Sequence, residues 1–78
     1  MIRGDRVRAR RIALGMNQIE LATAVGMSQA MLSQVERGRR DVSPALLRAL
    51  AEVLQTTVEA LEDPGEVPES DLKPTAVA

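Results

Sequence analysis

The 78-residue sequence contains no cysteine, no histidine and no aromatic residue. Lack of cysteine excludes disulfides and thiolate metal sites. Lack of histidine removes the commonest zinc ligand and the usual general base near neutral pH. No nucleophile–base pair or acidic metal cluster stands in their place. The expectation is therefore a non-enzyme, with no catalytic residue, no metal and no cofactor. Modules that hold single strands or RNA generally stack bases on aromatic rings, and none are available here. A duplex read through its grooves needs none. No apolar run approaches the ~20 residues of a membrane span. The basic start, MIRGDRVRARR, is not followed by an apolar signal core, so export is not expected and the location expected is cytoplasmic, of a prokaryotic or phage type. A chain of this length forms one domain with a small core, near the lower limit for folding without staples.

What is present is unevenly distributed charge. The net charge is only −1, but residues 1–48 hold nine Arg (Arg3, Arg6, Arg8, Arg10, Arg11, Arg37, Arg39, Arg40 and Arg48) against Asp5, Glu20, Glu36 and Asp41, a balance of +5. Residues 49–78 hold one Lys against seven acids, a balance of −6. A basic front and an acidic back can present a positive face to phosphate while the total stays near zero. Arginine suits planar, bidentate contacts to phosphate and guanine. A solvated basic helix has the same composition.

The stretch QIELATAVGMSQAMLSQVER, residues 18–37, organises the rest. Leu21, Ala22 and Val25 give a first short helix one apolar face. Gly26 follows where a chain leaving a helix needs a positive φ. Ser28 can cap a second helix, Gln29 to Arg37, whose inward positions are Leu32 and Val35. Ala22 is small enough to let the two helices approach closely. This is the pattern of a helix-turn-helix, with helix 29–37 offered to the major groove. A glycine-linked pair alone also fits any αα-hairpin of a small helical protein.

Three further helices flank the pair. Asp5 can cap a first helix from about Arg6 to Leu14, ended by Gly15, with Val7, Arg11 and Leu14 along one side. Asn17, with Glu20 three residues on, forms a capping box for the second helix. GRRDVS is a polar turn; Ser43-Pro44 then starts a fourth helix to about Leu54, its apolar face carried by Leu47, Leu50, Ala51 and Leu54. Thr57 can cap a short fifth helix, Val58 to Glu62. The expected fold is a compact all-α, five-helix domain over residues 1–63. From Pro64 the composition turns to proline and scattered acids without periodicity, the signature of a disordered acidic tail over 64–78.

RRIALGMNQIELATAVGMSQAMLSQVERGRR, followed later by LLRALAEVL and TTVEAL, resembles the Cro/phage-repressor type of helix-turn-helix family, also called the xenobiotic-response-element type. The family pattern is RxxxGLSQxxLAxxxGVSxxxISxxExGxR followed by LxxLAxxLxVSxxxL, and the likeness covers about residues 5–62. The resemblance implies a sequence-specific double-stranded DNA-binding regulator, and the expectation is a repressor that binds a palindromic operator as a homodimer. It also implies a pair between Arg11, otherwise odd on an apolar stripe, and Glu36. By position, Gln18 matches a phosphate contact at a helix N-terminus beside Asn17. Gln29, Ala30 and Gln34 match base-reading positions, with Ser28 and Ser33 as neighbours. Arg37, Arg39 and Arg40 match a phosphate-contacting loop. Two departures stand out. Gln55-Thr56 replaces the usual Gly-Val after the fourth helix, and Met31 occupies a position that is usually small, polar or Tyr. A rival reading is an antitoxin-like or adaptor module of the same fold, whose acidic back engages a toxin or co-regulator protein.

Overall fold

The computed structural model describes residues 1–62, so the expected tail over 64–78 lies outside the described residues. Five helices follow in order: α1 (Gly4–Ala13), α2 (Gln18–Val25), α3 (Gln29–Glu36), α4 (Pro44–Val53) and α5 (Val58–Leu61). Most of their starts are written locally. Asn17 Oδ1 accepts from the Glu20 N–H at 2.8 Å while the Glu20 carboxylate accepts from the Asn17 N–H at 2.9 Å, a complete capping box. Ser28, Ser43 and Thr57 cap α3, α4 and α5 through their side-chain oxygens.

Helix endings follow one plan. After α1, α2, α3 and α4 the chain turns through a left-handed residue, at Gly15, Gly26, Gly38 and Gln55. The next residue's N–H reaches back to a carbonyl five residues earlier: Met16 to Arg11, Met27 to Ala22, Arg39 to Gln34 and Thr56 to Ala51, at 2.9–3.0 Å. These are Schellman closures, which satisfy carbonyls that a helix end leaves open. Gln55, at φ 56°, is the non-glycine among them. Arg10 supports it from α1, donating from Nε to the Leu54 carbonyl at 2.9 Å and from an Nη to that of Gln55 at 3.2 Å. A cation there also meets the negative end of the α4 dipole.

The core is aliphatic throughout. Val7, Leu21, Leu32, Val35, Leu50 and Leu54 are fully buried, with Ile2, Ala22, Leu47, Ala51 and Leu61 nearly so. α2 packs on α3 and α4, α1 packs on α3, and α5 closes against α1 and α4. Ala22 in α2 is buried.

Helix boundaries differ from expectation in five places. Asp5 does not cap α1: the residue at the cap position is Arg3, whose side chain makes no capping bond to the helix and instead pairs at 2.9 Å with Asp5 in the first turn. The reason is tertiary. The Arg3 N–H donates to the Leu61 carbonyl at 2.7 Å, and Ile2 forms an isolated antiparallel bridge with Glu62. This holds Arg3 extended and lets the helix begin at Gly4. The same bridge keeps Glu62 extended and ends α5 at Leu61. Leu14, Arg37 and Leu54 are caps rather than helical residues, because the Schellman turns begin there. No helix among the described residues is long and apolar enough to cross a membrane.

Candidate nucleic-acid interface

α3 divides its residues between two environments. Leu32, Val35 and Glu36 are buried; Gln29, Ala30 and Gln34 are exposed, and Ser33 and Met31 lie between. The exposed set sits on the side of α3 turned away from the core. Ser28 Oγ is committed to the Met31 N–H at 3.1 Å, and the Asn17 side chain to Glu20, so both act first as caps. Arg37, Arg39 and Arg40 are exposed in and beside the turn that follows α3. Their backbone is fixed at one end by the Arg39 N–H on the Gln34 carbonyl, 2.9 Å.

Behind this surface lies a polar network. Arg11 Nε donates to Glu36 Oε2 at 2.7 Å and an Arg11 Nη to Glu36 Oε1 at 3.0 Å, a bidentate pair. The Arg11 and Glu36 side chains are 11% and 2% exposed, so the pair is largely dry. The Glu36 carboxylate beside it pushes the Arg11 guanidinium above its ordinary pKa. A second Nη of Arg11 donates to the Met16 carbonyl at 2.9 Å, tying the α1–α2 turn to the same group. Gln18 completes the network: its Nε2 donates to Glu36 Oε1 at 3.1 Å. One amide proton of Gln18 is thereby spent inward, and the other remains for an outside acceptor.

Three residues that sequence reasoning did not single out shape the site. Gly4 is buried where α1 meets α3: a Cβ there would collide with the Val35 carbonyl oxygen and lie 2.8 Å from the Glu36 carbonyl. Ile2 is 3% exposed and joins the core from a segment that carries no helical pattern. Asp41 Oδ1 accepts from the backbone N–H groups of Ile2, at 3.1 Å, and Val42, at 2.9 Å. These two bonds, Ile2's first, hold its carboxyl below the ordinary 3.8. Each of the three meets a partner more than 30 positions away, a contact for which the local sequence carries no signal.

A helix-turn-helix family model matches residues 7–61. The chain belongs to this family. The helix-turn-helix domain is of the Cro and phage-repressor type, a family of DNA-binding transcriptional regulators. It is 38% identical over 61 residues to the uncharacterized HTH-type transcriptional regulator YazB of Bacillus subtilis, covering 78% of this chain and 88% of that one. The P22 c2 repressor, solved in complex with a synthetic operator, superposes with a TM-score of 0.73 at 35% identity, covering 80% of this chain and 96% of its own. The clp gene regulator ClgR of Corynebacterium glutamicum gives a TM-score of 0.69 at 38% identity, covering 72% of this chain and only 60% of its own.

Proposed function

We propose that this protein is a sequence-specific repressor that binds a palindromic operator as a homodimer, with α3 in the major groove and no catalytic role. The observation that carries the reading is the polarity of α3: its inner face is closed by Leu32, Val35 and Glu36, and its outer face offers Gln29, Ala30 and Gln34. Gln can pair bidentately with adenine N6 and N7, and the Ala methyl can meet a thymine methyl. Gln18, with its second amide proton, and Arg37, Arg39 and Arg40 supply phosphate contacts that fix register. Of the neighbours, the P22 c2 repressor was solved on an operator. One domain reads too few base pairs to select a site in a genome, and two recognition helices about 34 Å apart resolve this.

The surface we assign to the second copy is the groove between the start of α4 and α5. Its volume is about 560 Å³, and its lining includes the apolar Val42, Leu47 and Val58 beside Arg48, Glu59 and Glu62. Both charge signs on one patch let it face a copy of itself across a two-fold axis. Selecting bound sites from a random duplex pool tests the whole reading. A symmetric site with half-sites one helical turn apart is expected. Enrichment of single half-sites would exclude the dimer, and no enrichment at any salt concentration would favour a protein-interaction module.

A further inference from the structure

The turn between α3 and α4 carries two exposed arginines followed at once by a carboxylate. A negative charge next to residues that meet phosphate opposes binding, so Asp41 calls for a structural reason. Its bonds supply one. Oδ1 accepts from the Ile2 N–H and the Val42 N–H, while the following residue's N–H, on Arg3, is held by the Leu61 carbonyl at 2.7 Å, and Ile2 is bridged to Glu62. The Ile2 side chain is buried in the core. Residues 1–3 thus form a strap between the end of α5 and the turn, and Asp41 is its buckle. The other end of the turn is already fixed by the Arg39 N–H on Gln34. With both ends held, the Arg39 and Arg40 side chains project from a backbone of defined course.

We propose that Asp41 is a positioning residue for DNA binding: by fastening the N-terminal segment it holds Arg39 and Arg40 where they meet phosphates. This rests on the reading of that turn as a phosphate-contacting loop. The tie needs the acceptor oxygen and is strengthened by its charge, so two neutral variants isolate the part played by the oxygen. Asp41→Asn keeps an oxygen at the same place, and Asp41→Ala removes it.

The test is equilibrium binding of the full chain to a random-sequence duplex of about 20 base pairs at low salt, where phosphate contacts dominate. Asp41→Ala is expected to bind on the order of tenfold more weakly than Asp41→Asn. The same comparison is then made with Arg39→Gln and Arg40→Gln in place, where the difference should vanish. Equal affinities of the two Asp41 variants overturn the proposal. So does a difference that persists without the arginines, because the tie would then act elsewhere. Should the alanine variant fail to fold, Asp41→Gln, which carries its acceptor one methylene further out, takes its place against Asn. Failure of the underlying reading looks different: Arg39→Gln with Arg40→Gln would by itself leave affinity and salt dependence unchanged in the natural Asp41 background.

Discussion

Gln18 and Glu36 are joined by a hydrogen bond of 3.1 Å, so the first residue of α2 is oriented by the last residue of α3. Glu36 therefore serves two masters. With Arg11 it closes the seam between α1 and α3, and with Gln18 it fixes an amide at the edge of the surface proposed to meet DNA.

Removing Glu36 would leave the Arg11 guanidinium buried and unpaired. With the side chains of the pair 11% and 2% exposed, little water reaches the site, and Glu36→Ala is expected to cost roughly 3–5 kcal/mol. That is a large share of the stability of so small a domain. A double-mutant cycle on Arg11 and Glu36, read by urea unfolding, should show strong coupling; additive single effects would contradict the pair.

Gln29→Ala is expected to lose roughly 1–3 kcal/mol on the selected operator and almost nothing on random duplex. Equal losses on both would mean that Gln29 touches phosphate instead of a base edge.

Gly4 tests the seam between α1 and α3. Replacing a helical glycine by alanine ordinarily gains about 1 kcal/mol of helix propensity. Here the new Cβ meets backbone carbonyls, which cannot rotate aside. Overpacking typically costs about 1–3 kcal/mol, and a collision with backbone lies toward the upper end, so the clash outweighs the propensity gain. Thermal unfolding of Gly4→Ala should show a clear loss, and a raised Tm would mean that the helices are not in backbone contact.

Gln55 is the reverse case. A side chain in the left-handed region costs on the order of 1 kcal/mol, which glycine avoids. Both Arg10 bonds nearby go to backbone oxygens and survive the change. Gln55→Gly is expected to gain up to about 1 kcal/mol, less the extra freedom glycine gives the unfolded chain, and to raise Tm by a few degrees.

Asp41 predicts a pH dependence. Its carboxyl ionises more readily folded than unfolded, so its contribution is present above the ordinary value of 3.8 and is lost as pH falls through the lower folded value. The natural protein and Asp41→Asn should differ in urea stability above about pH 4 and converge in stronger acid. A constant offset at every pH would show that the charge contributes nothing.

Elements whose signals are local were legible in the sequence. The Asn17–Glu20 box, Ser28, Ser43-Pro44 and Thr57 each mark a helix start within four residues, and Gly15 and Gly26 mark ends. Arg11 and Glu36 were paired through family resemblance, because spacing alone says only that Arg11 is misplaced. What was missed depends on chain segments meeting across the fold. Asp5 looks like a cap from its neighbours, but the Arg3–Leu61 bond decides where α1 begins. Gly4 reads as an ordinary glycine until α3 is laid against it. Ile2 has no periodic partners, and only the bridge to Glu62 explains its burial. The position of Gln18 at a helix N-terminus suggests only a phosphate contact, and its inward bond depends on where the fold places Glu36.

The division of α3 has an evolutionary consequence. The residues that close the core and those proposed to read bases are different residues of the same eight. Gln29, Ala30 and Gln34 can therefore be exchanged for other polar or small side chains with little thermodynamic penalty. After gene duplication, daughter copies could drift toward new target sites while Gly4, Arg11, Leu32, Val35 and Glu36 keep the scaffold unchanged. Divergence of target preference would then run along a nearly neutral path, limited by the supply of compatible DNA sites and not by foldability.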